Sequence, residues 1–127
     1  MNATLEHVNI AVPDPQATAK VLCDLFGWRI RWEGAAMGDG WSIHVGTDDD
    51  YLALYRPGGK ALEQPERYVR QGGLNHIGLV VPDLDAAEDK VRAAGFHPHE
   101  HADYEPGRRF YFDGPDGVEY EVVAYGA

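Results

Sequence analysis

Two histidines occupy matching places in two similar stretches of the chain. Residues 5–14, LEHVNIAVPD, align with residues 74–83, LNHIGLVVPD, so that His7 corresponds to His76 at an offset of 69. Neutral imidazole is a common ligand of divalent transition metals. Two histidines at equivalent repeat positions could therefore bind one ion, provided that the two halves of the chain pack together.

A carboxylate near the C terminus completes a possible ligand set. Residues 118–124 read as a strand, whose alternation places Glu119, Glu121 and Val123 on the face opposite the apolar side chains. Burying a carboxylate in an otherwise apolar strand is costly unless it is paired or binds a metal. His7, His76 and Glu121 thus predict a two-histidine, one-carboxylate site, which holds a divalent ion such as Fe, Mn, Zn or Ni and leaves coordination positions open. Glu121 is also the first candidate for a catalytic carboxylate.

The first half of the chain lacks the matching carboxylate. At an offset of 68, residues 48–55 align with residues 116–123, and Ala53 stands where the second half has Glu121. Tyr51 and Tyr55 share the parity of Ala53, and we expect both to line the pocket as substrate-binding residues. His44 is either a weaker catalytic candidate, as an acid or base, or a partly buried strand residue.

Two further groups in the second half could take part. Arg109 and Tyr111 precede the turn formed by residues 113–117, where an arginine could bind a substrate carboxylate or phosphate, or simply offset the surrounding acids. Residues 97–101, HPHEH, form a rival metal candidate, because alternate residues of a strand share one face. The other reading of this segment is a solvated strand edge.

The elements that position these side chains follow a repeated order. Each histidine run is β-branched and alternating, which predicts a strand, and ends in an Asp suited to cap the next helix. The helices are predicted at residues 15–26 and 84–94, and each ends at a Gly followed by an aromatic residue. Three strands then follow in each half, near 28–33, 41–46 and 51–55, and near 96–101, 108–113 and 118–124.

The chain is therefore predicted to be a single domain, 1–127, with an α+β fold of two tandem βαβββ modules. The modules are residues 4–56 and 74–127, and residues 57–73 form a Gly- and Pro-containing linker in which 67–70 could make a short helical turn. Each module is too small to bury a sufficient core alone. We expect the modules to pair around a cavity, either within one chain or by exchange with a second chain.

Composition narrows the classes of partner. The 127 residues are 44% apolar and 25% charged, which is typical of a globular domain, and the net charge of −10 disfavours nucleic acid and anionic lipid. No apolar run is long enough to cross a bilayer, and the N terminus does not resemble a signal peptide. The single Cys23 excludes a cysteine-rich metal site. A small-molecule partner and a cytoplasmic location are the resulting expectations.

The two histidine motifs, together with the segment DGPDGVEYEV at residues 113–122, resemble the vicinal oxygen chelate superfamily. This superfamily includes glyoxalase I, type I extradiol dioxygenases, fosfomycin-resistance thiol transferases, methylmalonyl-CoA epimerase and the bleomycin-binding proteins. The resemblance covers nearly the whole chain and implies a curved mixed sheet around a cavity. It is specific for the fold, whereas one scaffold hosts many reactions.

By position, the resemblance implies that His7, His76 and Glu121 are metal ligands. Ala53 departs from the four-ligand sites of glyoxalase I and the epimerase, so a three-ligand site of dioxygenase or transferase type is the closer match. Bidentate binding of an oxygen-rich substrate to the ion is the chemistry that these enzymes share. The resemblance also implies a homodimer, and it leaves one alternative function, a metal-free ligand-binding protein of the bleomycin-resistance kind.

Overall fold

A computed structural model of the chain describes residues 1–63, 65–104 and 107–125, and these form two compact units, Met1–Leu62 and Glu63–Ala127. Unit 1 contains, in chain order, β1 (His7–Ala11), α1 (Pro15–Phe26), β2 (Arg29–Ala36), a 3-10 turn (Met37–Asp39), β3 (Gly40–Gly46) and β4 (Tyr51–Arg56). Unit 2 contains β5 (Ile77–Val80), α2 (Leu84–Ala93), β6 (His99–Tyr104), β7 (Gly107–Asp113) and β8 (Glu119–Ala124).

Both units have the same sheet topology. The strand order is β1-β4-β3-β2 in unit 1 and β5-β8-β7-β6 in unit 2. In each sheet the first strand runs parallel to the last one, and the other neighbours are antiparallel. The predicted fold class, two βαβββ repeats with mixed sheets, is confirmed. The predicted linker and the module bounds, 4–56 and 74–127, stay predictions.

Aspartate side chains cap the N termini of both helices, and a left-handed glycine ends α1. The Asp14 carboxylate accepts the backbone N–H of Ala17 at 3.1 Å, and that of Asp83 accepts the N–H of Ala86 at 3.0 Å. Gly27 ends α1 in the left-handed conformation, with φ at 70°, and donates its N–H to the carbonyl of Cys23. The Asp cap occurs at both repeats, whereas α2 is followed by Ala94 in the right-handed conformation, and the left-handed Gly95 comes one residue later.

One face of each sheet forms the core. In unit 1 this face is apolar and packs on α1; its fully buried members include Ile43, Val45 and Leu54. In unit 2 the corresponding residues packed near α2 are Phe110, Phe112 and Val122. Because strand side chains alternate, burial of this set turns the predicted site residues to the opposite face of each sheet.

Two local predictions are corrected. The sixth strand covers His99–Tyr104 instead of 96–101, and a bulge interrupts its pairing between His99 and Ala102. Glu100, inside the bulge, has φ at 52°. Residues 67–70 lie in a turn and bend, where the sequence suggested a helical turn. Among the residues described, no helix is both long and apolar enough to span a membrane.

Candidate functional site

The face of the unit 2 sheet that points away from α2 is polar. Strand pairing places Gly78 and Tyr111 opposite Glu121, and Asp113 opposite Glu119. Directly paired residues project to the same side of a sheet, so these polar side chains share one surface. The set on this face comprises His76, His99, Arg109, Tyr111, Asp113, Glu119 and Glu121.

Glu121 lies at the centre of this face and is largely buried, with 13% of its side chain exposed. Arg109 Nη1 donates to Glu121 Oε1 at 2.9 Å, and the Tyr111 hydroxyl donates to Oε2 at 2.8 Å. His76 Nε2 lies 3.1 Å from the same Oε2. The structure thus brings together two of the three predicted metal ligands, although β5 begins one residue after His76.

Arg109 and Tyr111, predicted to bind substrate, are engaged with Glu121. The Arg109 side chain is 9% exposed, and its Nη2 also donates to the Gly107 carbonyl at 3.1 Å. These bonds fix the orientation of the Glu121 carboxylate, because a guanidinium fork and a phenol hold its two oxygens from different directions. Their role in substrate binding stays a prediction.

Tyr68 and Glu119 join the site from positions to which the sequence gave no role. The Tyr68 hydroxyl donates a short hydrogen bond to Glu119 Oε1 and lies 3.0 Å from His76 Nδ1. Partial burial, with the bond to Glu119, raises the pKa of Tyr68 to about 12. The parity of β8 predicted that Glu119 faces the site, but Tyr68 arrives from a turn that carries no repeat signal.

A second possible ligand cluster lies on the same face. One donor atom each from His99, Asp113 and Glu119 lie within 4.8 Å of one another. His99 Nε2 is buried, has no hydrogen-bond partner among the residues that the structure describes, and lies 3.9 Å from Asp113 Oδ2. A cation is already close, because Arg67 Nη2 lies 3.4 Å from Asp113 Oδ1. This cluster competes with His76 and Glu121 as a place for an ion.

The rival prediction that His97, His99 and His101 share one strand face is wrong. His97 precedes β6, and the bulge after His99 separates the directions of the other two side chains. His101 Nε2 lies 3.0 Å from Glu88 Oε1 on α2, whereas His99 lies beside Tyr111 and Asp113. The physical cause is the extra residue of the bulge, which breaks the two-residue period.

In unit 1 the face opposite the core carries a row of rings. His7 stacks on Tyr51 with centroids 4.9 Å apart, and Tyr51 stacks on His44 at 4.6 Å. The half-exposed Trp32 lies 5.0 Å from His44. Tyr55 is on the same face, where its hydroxyl donates to the Met37 carbonyl at 2.9 Å. His7, His44, Tyr51 and Tyr55 therefore share one surface, as their parity predicted.

Two charged side chains contact this row of rings. His7 Nδ1 lies 2.8 Å from Glu6 Oε1, while the Arg31 guanidinium lies over the Tyr51 ring at 4.5 Å from its centroid. Burial lowers the pKa of His44, and the nearby His7 and Arg31 lower it further. These effects favour the neutral form of the His44 imidazole.

Strand register independently places Ala53 at the position of Glu121. Ala53 pairs with Asn9 and Glu121 pairs with Gly78, two partners that are equivalent in the repeat. Ala53 is 3% exposed, and it pairs with His44 on the neighbouring strand β3. His7 belongs to unit 1, whereas His76 and Glu121 belong to unit 2. Convergence of all three on one ion stays a prediction.

Comparison with known families agrees with this repeat. A family model described as the Glyoxalase/Bleomycin resistance protein/Dioxygenase superfamily matches residues 4–122. The chain belongs to this superfamily. The match spans both units, and hence both histidine motifs and Glu121. No significant match is found among curated protein sequences.

Solved structures show the same superfamily fold. A glyoxylase/bleomycin resistance protein/dioxygenase domain from Frankia sp. EAN1pec is similar over 99% of this chain and 100% of its own, with a TM-score of 0.82 and 18% identity. The fosfomycin resistance protein FosX from Listeria monocytogenes, complexed with Mn(II) and sulfate, is similar over 99% and 95% of the two chains (TM-score 0.75, 18% identity). FosX from Mesorhizobium loti is similar over 97% of this chain and 92% of its own, with a TM-score of 0.71 and 21% identity.

Proposed function

We propose that this protein is a metal-dependent enzyme that binds one divalent ion through His7, His76 and Glu121 and chelates a small, oxygen-rich substrate to it. The observation that carries the proposal is the 3.1 Å separation of His76 Nε2 and Glu121 Oε2. Two ligand atoms that each lie about 2.1 Å from one ion are separated by a similar distance. His76 immediately precedes β5 and Glu121 lies on the neighbouring β8, in a sheet face whose opposite side is apolar core.

The surrounding residues fit a metal ligand set. Imidazole nitrogen and carboxylate oxygen are donors suited to Fe, Mn, Zn and Ni. Arg109 and Tyr111 hold Glu121 in one orientation, as residues that support metal ligands do. Ala53 has no donor atom, so the position that a second glutamate would fill is left for substrate or water.

The bound ion would act as a Lewis acid on vicinal substrate oxygens. His44, whose pKa is lowered by burial, would act as a weaker catalytic acid or base. Tyr51 and Tyr55 would contact substrate from the same face, and Arg109 and Tyr111 would do so from unit 2. Dioxygenation, lyase or isomerase chemistry, and thiol transfer all use such a site, and the identity of the natural ion separates the redox reaction from the others.

The neighbouring structures suggest probes for the site. A glutamate-to-glutamine mutant of FosX from Listeria monocytogenes has been crystallised with Mn(II) and 1S,2S-dihydroxypropylphosphonic acid, a vicinal diol that carries an anionic group. Mn²⁺ is therefore the first ion to test here, and a vicinal diol phosphonate is the first ligand. Arg109, at the edge of the predicted substrate position, would favour an acidic group on the ligand.

We also propose that the protein works as a cytoplasmic homodimer on a small molecule, without nucleic acid or membrane partners. The net charge of −10 repels phosphate backbones and anionic lipids. Each repeat of about 55 residues is below the size at which a single core is comfortably stable, so pairing of modules adds buried surface. Size-exclusion chromatography with light scattering would measure the assembly directly.

One observation favours the second candidate function, a metal-free ligand-binding protein of the bleomycin-resistance kind. The Arg109 guanidinium already neutralises Glu121 at 2.9 Å, and a carboxylate paired in this way attracts a metal ion less strongly. In that case His76 and Glu121 would form part of a hydrogen-bonded pocket wall. Failure of the wild-type protein to bind any of the four ions would support this function.

Calorimetric titration of the untagged, metal-free protein with Mn²⁺ and Zn²⁺ tests the proposal. We expect one ion per site, with binding lost in His76→Ala and His7→Ala. His99→Ala is the matched control, because it removes an imidazole from the same sheet face and should leave the affinity nearly unchanged. The reverse pattern, with binding lost only in His99→Ala, would move the ion to His99, Asp113 and Glu119.

A further inference from the structure

We infer that Tyr68 is a positioning residue for the metal site, which keeps a proton on Nδ1 of His76 and so presents Nε2 to the ion. The inference rests on the proposed function, since it takes His76 as a ligand. It assigns a role to a residue that lies outside both βαβββ repeats. Three features support it. The Tyr68 hydroxyl has a single proton for two hydrogen-bond partners, Glu119 is buried, and the Tyr68 backbone is held by hydrogen bonds.

The hydroxyl of Tyr68 has one proton to donate and two partners. It donates to Glu119 Oε1, and its oxygen lies 3.0 Å from His76 Nδ1. An ionised carboxylate has no proton to offer, so the Tyr68 proton must occupy the bond to Glu119. The bond between Tyr68 and His76 then requires a proton on Nδ1. Nε2 is the ring atom that remains available to a metal, and it faces Glu121 at 3.1 Å.

Glu119 is placed to accept this bond. It is 8% exposed, and Arg67 Nη2 lies 3.7 Å from its second oxygen. The His76 imidazole N–H therefore donates to the Tyr68 oxygen, and the Tyr68 hydroxyl donates to the Glu119 carboxylate. A metal ligand supported by a hydrogen-bonded chain of this kind is held in one tautomer and one ring orientation.

The backbone of Tyr68 is held in a conformation that few non-glycine residues adopt. Its φ is 78°, and that of Glu66 is 56°. The Tyr68 N–H donates to Asn75 Oδ1 at 2.5 Å, and Arg67 Nη1 donates to the Gly117 carbonyl at 3.0 Å. Such a conformation persists only where surrounding contacts enforce it. Here the contacts on both sides of Tyr68 fix its hydroxyl between Glu119 and His76.

The test compares Tyr68→Phe with Tyr125→Phe, which makes the same chemical change at a tyrosine whose side chain is exposed. Zinc affinity is measured by calorimetry, and the ring N–H protons of histidine are followed by ¹H–¹⁵N NMR in zinc-loaded and metal-free protein. In the wild type we expect an Nδ1–H resonance of His76 that is protected from exchange with water. In Tyr68→Phe this resonance should be lost to exchange, and zinc should bind roughly 10–100-fold more weakly. Tyr125→Phe should match the wild type.

If Tyr68→Phe folds poorly, Glu119→Gln provides a second test of the role of Tyr68. In Glu119→Gln the new amide can donate to the phenol oxygen, which releases the hydroxyl proton toward Nδ1. Weaker zinc binding with a loss of the protected Nδ1–H is expected there too. Unchanged affinity together with an unchanged resonance in either variant would overturn the role of Tyr68. A wild-type protein that binds no zinc would overturn the proposed function, while the resonance in metal-free protein would still decide the role of Tyr68.

Discussion

Glu121 and Arg109 form a nearly buried ion pair, in which 13% and 9% of the two side chains are exposed. Removing one partner of such a pair leaves a charge buried without compensation, which is more costly than losing an exposed ion pair. The same pair determines whether Glu121 is available to a metal. Its energetics can therefore be tested separately from the metal chemistry.

We predict that Arg109→Met lowers the free energy of unfolding by about 3 kcal/mol, because the largely buried Glu121 loses its cationic partner and a hydrogen-bond donor. Urea denaturation at neutral pH measures this. Arg108→Met, on the same strand, is the control: Arg108 bonds Asp85 at the surface, and its loss should cost less than about 1 kcal/mol. Equal destabilisation by the two variants would contradict the account of Glu121 as a buried, paired carboxylate.

At the scale of elements, α2 and β6 are linked by Glu88, whose carboxylate accepts from Arg92 at 2.8 Å and lies 3.0 Å from His101 Nε2. Burial raises the pKa of Glu88, but the hydrogen bonds with Arg92 and His101 outweigh burial, so the pKa falls below its ordinary value of 4.5. A carboxyl group with a lowered pKa stabilises the folded state above its unfolded pKa and loses this contribution as the pH falls through its folded value.

The stability difference between wild type and Glu88→Gln should thus be present at pH 7, at about 1 kcal/mol or less, and should shrink as the pH falls below the ordinary value of 4.5. Thermal unfolding across this pH range gives the difference. Asp89→Asn, one residue further along the same helix and exposed, is the control for the change in charge. A Glu88→Gln difference that grew as the pH fell would show that the sign of the effect is wrong.

The elements also show which parts of the fold the sequence could specify. The bounds of α1 were predictable because Asp14 and Gly27 are local signals that need no tertiary partner. β6 was displaced by three residues because HPHEH lacks an apolar alternation, and its bulge depends on pairing with β7. His76 and Glu121 were predictable from the repeat and from parity. Tyr68 was not, since its place depends on a turn held by Asn75 and Arg67.

At the scale of the whole molecule, the proposed metal site would draw its ligands from both units. His7 and Ala53 come from unit 1, and His76 and Glu121 come from unit 2. The same topology in both units gives each a sheet face that points away from its helix and carries the predicted site residues. The proposal that one ion joins them makes a prediction about Ala53, which stands where the repeat has a glutamate.

Ala53→Glu should destabilise the metal-free protein, because it buries a carboxylate beside His44 in a place that is 3% exposed. Added Mn²⁺ or Zn²⁺ should then raise the melting temperature more in Ala53→Glu than in the wild type, since the new carboxylate supplies a fourth ligand. Ala53→Gln, of similar size and without charge, separates the effect of bulk from that of ligation. The same metal-induced shift in both variants would place the ion away from Ala53.

The most direct test of the central claim is a crystal structure of the Mn²⁺-loaded protein, with anomalous scattering used to locate the ion. We expect one strong anomalous peak about 2.1 Å from His76 Nε2 and Glu121 Oε2. His7 should be the third ligand, from the same chain or from a second copy. A peak bound by His99, Asp113 and Glu119, or an empty site at saturating Mn²⁺, would contradict it.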